Sequence, residues 1–323
     1  MKKDKILYIV VPCYNEELVL KETTKRLKIK LEKMIENNLI SKKSKVMYVN
    51  DGSKDNTWNL IKNISKEDSM FTGITLSRNR GHQNALVAGL MTAKKYADVV
   101  ISMDADLQDD IEIIDEMINK YNDGCEIVYG VRKARKTDTF FKRFTAESFY
   151  KLMSKMGVDI VYNHADYRLT SKRALDEFEN YKEVNLFLRG IFPLVGFKND
   201  IVYYERSERF AGESKYPLKK MLNFAWDGIT SFSVKPIRLI VTLGVLITSI
   251  SFVCMLIFII SNVSKYNTLG VGSIISIISF FSGLQITCIG IIGEYIGKTY
   301  YETKARPRYI IETNLLEDKN EER

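Results

Sequence analysis

Residues 103–110, MDADLQDD, follow the short apolar run VVIS with four aspartates and a glutamine: Asp104, Asp106, Gln108, Asp109 and Asp110. Two carboxylates spaced two apart at a strand end are hard oxygen ligands. They suit Mg2+ or Mn2+, which are commonly held by one or two carboxylates plus substrate phosphates. Aspartates also cap helices, and Asp109 or Asp110 can accept the first N–H groups of a helix opening at 111. The motif alone leaves both readings open, although capping does not account for Asp104 and Asp106. Three further polar clusters follow apolar runs. PCYNEE (12–17) sets Tyr14 beside Asn15 and Glu16, an aromatic next to acceptors, which suits a nucleobase and ribose or simple packing. NDGSKDNT (50–57) offers Asp51 to a base N–H, with Asp55 or Asn56 as caps. SRNRGHQN (77–84) brings Arg78, Gln83 and His82; the last is expected to stabilise the start of its helix.

The elements that must position these clusters alternate. Apolar, β-branched runs at 6–11, 46–50, 73–76, 99–103 and 127–131 predict strands. Helical spacing at 16–37, 57–64, 82–96 and 111–121 predicts the segments between them. Such alternation implies an α/β fold with a mostly parallel sheet covered on both faces. Ligands there bind beyond the carboxyl ends of the strands, where all four clusters fall. After 131 the chain turns basic and helical (VRKARKTDTFFKRF), then irregular to about 214.

The C-terminal third has a different character. Residues 239–263 and 266–293 carry no charge, and each is long enough to cross a ~30 Å hydrocarbon core as a helix. Their connection at 264–266 is short, which makes a hairpin. Lys215, Lys219, Lys220, Lys235 and Arg238 precede it, and Lys298, Lys304, Arg306 and Arg308 follow it. That bias predicts the N-terminal domain and both termini in the cytoplasm, with no signal peptide expected ahead of the first strand. Apolar residues at helical spacing in 216–232, beside Lys219 and Lys220, predict an amphipathic helix in the membrane interface. The net charge of +8 is thus explained by anionic lipid rather than nucleic acid. Four scattered cysteines give neither a zinc site nor a disulfide framework. The expected organisation is a cytosolic domain at 1–214 (halves meeting near 131), a juxtamembrane helix at 215–236, two membrane helices at about 239–263 and 269–293, and a cytosolic tail at 294–323, disordered from about 317.

Taken in order, VPCYNEE, VNDGSKDNT, LSRNRGHQNALVAGL and MDADLQD resemble the family 2 glycosyltransferases. NHADYRLTSKRA (163–174), NLFLRG (185–190), RFAGESKYPL (209–218), DGITSFSVKPIR (227–238) and the two apolar spans narrow the likeness to the membrane-anchored polyprenyl-phosphate glycosyltransferases. That group includes bactoprenol glucosyltransferases and dolichyl-phosphate mannose synthase. The resemblance implies a Rossmann-like glycosyltransferase A-type domain. Its donor would be a nucleotide-diphosphate sugar, UDP-glucose by default, and its acceptor a polyprenyl phosphate, undecaprenyl phosphate by default. By position, Pro12, Tyr14, Glu16 and Asp51 line the nucleotide pocket, with Arg78 and Gln83 near it. Asp104, Asp106 and Gln108 surround the metal, Mg2+ or Mn2+, and the diphosphate. Asp166 is the favoured catalytic carboxylate beside Asp106, in a positioning or electrostatic role; an ion pair with Arg168 or a helix cap is the structural alternative. Arg132, Arg143, Arg209 and Lys215 are candidates for the acceptor phosphate, since guanidinium groups match phosphate geometry. The chain departs from the family at Arg80, often an aromatic, and at Asp110, commonly proline. A processive polysaccharide synthase is disfavoured, because FLRG at 187–190 stands without a Q-x-x-R-W motif and only two spans are present. A silent membrane-anchored scaffold is disfavoured by the intact Asp104, Asp106 and Asp166. Gly270, Gly272, Gly283, Gly290 and Gly293 permit close helix contact in a homo-oligomer.

Overall fold

A computed structural model of the chain describes residues 4–133, 164–184, 186–207, 229–230, 233–262 and 271–317. Among them, eight strands form one sheet: β1 (Leu7–Cys13), β2 (Lys45–Asn50), β3 (Phe71–Leu76), β4 (Val99–Ser102), β5 (Ile127–Arg132), β6 (His164–Ser171), β7 (Asn199–Tyr204) and β8 (Ile311–Asn314). Their spatial order is β7-β5-β6-β4-β1-β2-β3-β8. β1 lies parallel between β2 and β4, β3 is parallel to β2, and β7 is parallel to β5. β6 runs antiparallel between β4 and β5, and β8 antiparallel on β3. The expected mostly parallel α/β sheet is therefore present. The five expected strands are its β1 to β5, with β4 and β5 separated by a strand that patterning missed.

β1 is buried along its whole length, as a strand covered on both faces must be. On one face, Ile9 and Val11 pack with Leu27, Leu31 and Met34 of α1 (Leu20–Glu36) and with Met117 of α4 (Ile114–Asn122). α2 (Thr57–Glu67) covers the same side through Ile61. On the other face, Val10 and Val49 meet Leu86 and Leu90 of α3 (His82–Ala93). Gly89 of α3 lies so close to the sheet that a Cβ there would sit 2.4 Å from Val10 Cγ1 and 2.6 Å from Val49 Cγ2. Gly89→Ala should therefore destabilise the chain by about 1–3 kcal/mol despite alanine's better helix propensity. A melting temperature equal to wild type would refute this close seating.

Two short helices follow β6: α5 (Lys172–Phe178), capped by Ser171, and α6 (Leu188–Leu194). Two long ones come next, α7 (Lys235–Asn262) and α8 (Val271–Lys304). Among the described residues no helix is long and apolar enough to cross a membrane; the side chains of residues 251–262 of α7 fall outside them. So do the expected basic helix after 131 except residues 132–133, the juxtamembrane helix except residues 229–230 and 233–236, the hairpin connection, and the tail beyond 317. The segment after α8 returns to the sheet, where β8 pairs Thr313 with Thr75, and in the last turn of α8 both carboxylate oxygens of Glu302 accept from Val184 N, ahead of α6 (3.0 and 2.8 Å).

Candidate active site

The four polar clusters meet at the carboxyl ends of β1 to β4, and backbone hydrogen bonds lace them together. Asn15 N donates to Ser53 Oγ (3.0 Å), Glu16 N to Thr57 Oγ1 (2.9 Å) and Lys54 N to Asn15 Oδ1 (2.9 Å). Asp51 is buried, and its two oxygens accept from Arg80 N (2.7 Å) and Gly81 N (2.9 Å). Burial pushes its pKa up against those bonds. Gly52 at φ 61 allows this approach, because a Cβ there would lie 2.6 Å from Asn79 N. Asp51 thus binds the loop after β2 to the loop after β3. Tyr14 is exposed beside it, Pro12 sits within β1, and Arg78 is exposed at the end of β3. Gln83 Oε1 accepts from Leu188 N (2.9 Å) and seats the start of α6.

The loop after β4 divides its carboxylates. Leu107 adopts φ 58, and the Asp106 carboxylate accepts from Gln108 N (3.2 Å) across that turn. Thr23 of α1 holds the loop from below through Ala105 O (2.9 Å). Asp110 is the cap, accepting from Glu112 N (2.9 Å). Asp109, considered with it as a cap, is instead buried: its Oδ1 accepts from the Tyr204 hydroxyl and faces Arg132 Nη2 at 3.5 Å. Arg132 Nε in turn donates to Tyr204 Oη (3.0 Å), closing a triangle around the expected phosphate ligand.

Asp104 and Asp166 approach each other across β4 and β6. His82 Nε2 stands 3.6 Å from Asp104 Oδ1 and 3.7 Å from Asp166 Oδ2. This corrects its expected role at the helix start: Gly81 precedes α3, and the imidazole points to two carboxylates. Asp166 has a cation partner, but Arg189 of α6 (Nη2 at 3.4 Å) takes the place expected for Arg168. Arg168 is fully buried with its guanidinium 3.6 Å from the Phe192 ring centroid. Burial opposes ionisation of Asp166, yet Arg189, then His82 and Arg168, outweigh it and hold the carboxyl well below the usual range. Arg143, Arg209 and Lys215 lie outside the described residues.

Among the described residues no three His, Cys, Asp or Glu side chains group tightly enough to hold a metal alone. Asp104, Asp106 and the carbonyl oxygen of Gln108 fit a divalent cation that draws its remaining ligands from a diphosphate. The Gln108 oxygen accepts from Arg206 Nη2 in this structure. A cavity of about 350 Å³ between α3, α5 and the segment before β8, touching Met91, Phe178 and Tyr309, contains none of these groups. Sequence reasoning did not find Arg189, Tyr204 or Arg206. The FLRG stretch carried the first, whereas no spacing signal marked the other two.

Asp109 supplies a pH test. Burial, then the Asp104 charge, raises its pKa to about 6. Between about pH 4 and 6 the folded chain keeps a proton there that the unfolded chain has released, so this contribution to stability is lost as pH rises through 6. The wild-type advantage over Asp109→Asn should shrink by on the order of 2–3 kcal/mol from about pH 4 to about pH 7. Denaturation of both proteins without metal or nucleotide measures it, and a difference independent of pH would refute it.

Comparison with known proteins shows the family. The family model for glycosyl transferase family 2 matches residues 8–178. An uncharacterized glycosyltransferase of Bacillus subtilis (strain 168), YkoT, is 53% identical over 313 residues, 97% of this chain and 93% of that one. The prophage bactoprenol glucosyl transferase homolog of Escherichia coli (strain K12) is 39% identical over 305 residues, 94% of this chain and 97% of its own. The bactoprenol glucosyl transferase of Shigella phage SfX is 39% identical over 307 residues, 94% and 98% of the two chains.

Proposed function

Because the chain belongs to glycosyl transferase family 2 and is a glycosyltransferase, we propose that it moves a hexose from a nucleotide-diphosphate sugar to a polyprenyl phosphate in a single inverting step. The observation that carries this reading is the meeting of Asp104 and Asp166 at His82, beside the Arg132–Tyr204–Asp109 triangle. An acidic donor end and a cationic acceptor end thus share one sheet edge. The relatives called bactoprenol glucosyl transferase support a lipid phosphate acceptor. UDP-glucose is the default donor and undecaprenyl phosphate the default acceptor.

In this reading Tyr14, Glu16 and the Asp51-tied loops hold the nucleotide, and Asp104, Asp106 and Gln108 hold Mg2+ or Mn2+ against the diphosphate. The cation's chemistry is to neutralise charge developing on the leaving nucleoside diphosphate. An acceptor phosphate oxygen attacks the anomeric carbon as the bond to the diphosphate breaks. That oxygen is already anionic at neutral pH, and a carboxyl held as low as Asp166 is a poor proton acceptor. Asp166 therefore acts electrostatically, by positioning, rather than as a strong base. Arg132 faces the acceptor phosphate, with Arg143, Arg209 and Lys215 as further candidates.

The uncharged runs 239–263 and 266–293 and their basic flanks support a membrane hairpin with the catalytic domain and both termini in the cytoplasm. Among the described residues nothing lies within 4 Å of a Cβ built on Gly283, Gly290 or Gly293 of α8, which suits close contact with a neighbouring subunit.

A panel of labelled nucleotide sugars with a short polyprenyl phosphate tests the reading. Lipid-monophosphate-linked sugar with inverted anomeric configuration is expected. Transfer only to a growing polysaccharide, or none from any donor, would overturn it.

A further inference from the structure

The third oxygen of the candidate metal set is already engaged. Gln108 Oε1 accepts from Arg206 Nη2, and two more bonds join the same segments: Ser207 N donates to Gln108 O (3.0 Å), and Gln108 Nε2 to Ser207 O (3.4 Å). A guanidinium has donors only, so the amide must turn its oxygen toward Arg206. That oxygen is also the one atom a primary amide offers a hard divalent cation. A guanidinium and a divalent cation sharing one oxygen repel each other at short range. Arg206 and the metal therefore compete for a single atom.

The surroundings of Arg206 show where it can go. Burial and the nearby Arg132 push its guanidinium below its ordinary pKa, while Asp106, Asp109 and Asp104 pull the other way. Arg132 cannot retreat, because Tyr204 and Asp109 hold it. Arg132 and Arg206 contact the consecutive residues Asp109 and Gln108, and two guanidinium groups so placed suit a phosphate.

We propose that Arg206 holds the metal's place at Gln108, yields that oxygen when the donor's cation arrives, and then joins Arg132 on the acceptor's phosphate. This rests on the reading of Asp104, Asp106 and Gln108 as the residues that hold the cation. The consequence is an order of binding: the second guanidinium for the acceptor is released only once donor and cation are in place.

The test uses the full chain purified in detergent as wild type, Arg206→Met, Arg206→Lys and Asp106→Asn. Mn2+ uptake in the presence of UDP is followed by the electron paramagnetic resonance signal of free Mn2+, and the KM for a short polyprenyl phosphate is measured separately. With its competitor removed, Arg206→Met should bind Mn2+ about threefold or more tighter than wild type. Its acceptor KM should rise about tenfold. Arg206→Lys, with the charge kept on a more mobile stem, should fall between in both. The opposite signs matter, since a merely structural arginine would weaken both steps when lost. Unchanged or weaker Mn2+ binding in Arg206→Met, or in Arg206→Lys should the first variant not fold, overturns the place-holder role alone. Wild-type uptake no greater than that of Asp106→Asn overturns the metal reading and the place-holder together.

Discussion

In Asp106→Asn, sugar transfer to a polyprenyl phosphate should fall by about a thousandfold or more, with saturating Mg2+ or Mn2+ present and the melting temperature unchanged. The two halves of that expectation have separate causes. The fold survives because Asp106 contributes to its loop as an acceptor from Gln108 N, across the turn made by Leu107. An asparagine oxygen accepts the same bond. Activity does not survive because the substitution removes a full negative charge from the residues proposed to hold the cation. A neutral amide binds a hard divalent ion far less well than a carboxylate. A thousandfold loss corresponds to roughly 4 kcal/mol at the barrier, in keeping with the several kcal/mol a metal supplies as a Lewis acid. Near-normal turnover with metal supplied would remove Asp106 from the cation's ligands.

The second large effect is expected at Asp166. Asp166→Asn should lower kcat by about 10²–10⁴-fold while the donor KM moves little. The substitution keeps the side chain's shape but leaves Arg189, His82 and the buried Arg168 without the carboxylate that balances them. A pH series separates the two possible roles. A carboxyl held well below the usual range stays ionised across about pH 4–8, so kcat in wild type should show no acidic limb that disappears in the variant. Such a limb near neutrality, lost in Asp166→Asn, would make Asp166 a proton acceptor. A loss smaller than tenfold would leave it a structural ion pair.

The site was legible in sequence where its residues follow long apolar strands. PCYNEE, NDGSKDNT, SRNRGHQN and MDADLQDD announce themselves because β1 to β4 read as buried and the polarity then changes abruptly. Legibility failed at β6. That strand lies inside the sheet yet carries His164, Asp166 and Arg168, so its composition reads as irregular chain. Its alternation of His164, Asp166 and Arg168 with Tyr167 and Leu169 is the pattern of a strand with one solvated face, whereas His164 and Arg168 are buried inside the sheet. The division of MDADLQDD was half legible. Asp110 caps as local spacing suggests, while the burial of Asp109 depends on Tyr204, nearly a hundred residues away. Arg206 and His82 illustrate the same limit: their partners lie across the sheet edge, and no local period reports a contact of that range.

The pairing of β8 with β3 bears on how the protein is made. β8 follows both long helices in the chain, so the outer edge of β3 stays unpaired on the ribosome until α8 has been synthesised. An open strand edge is a template for wrong pairing. Nascent chains that have not yet reached β8 should therefore be the species most dependent on chaperones, and the synthesis of β8, after the second long helix, is the event that closes the sheet.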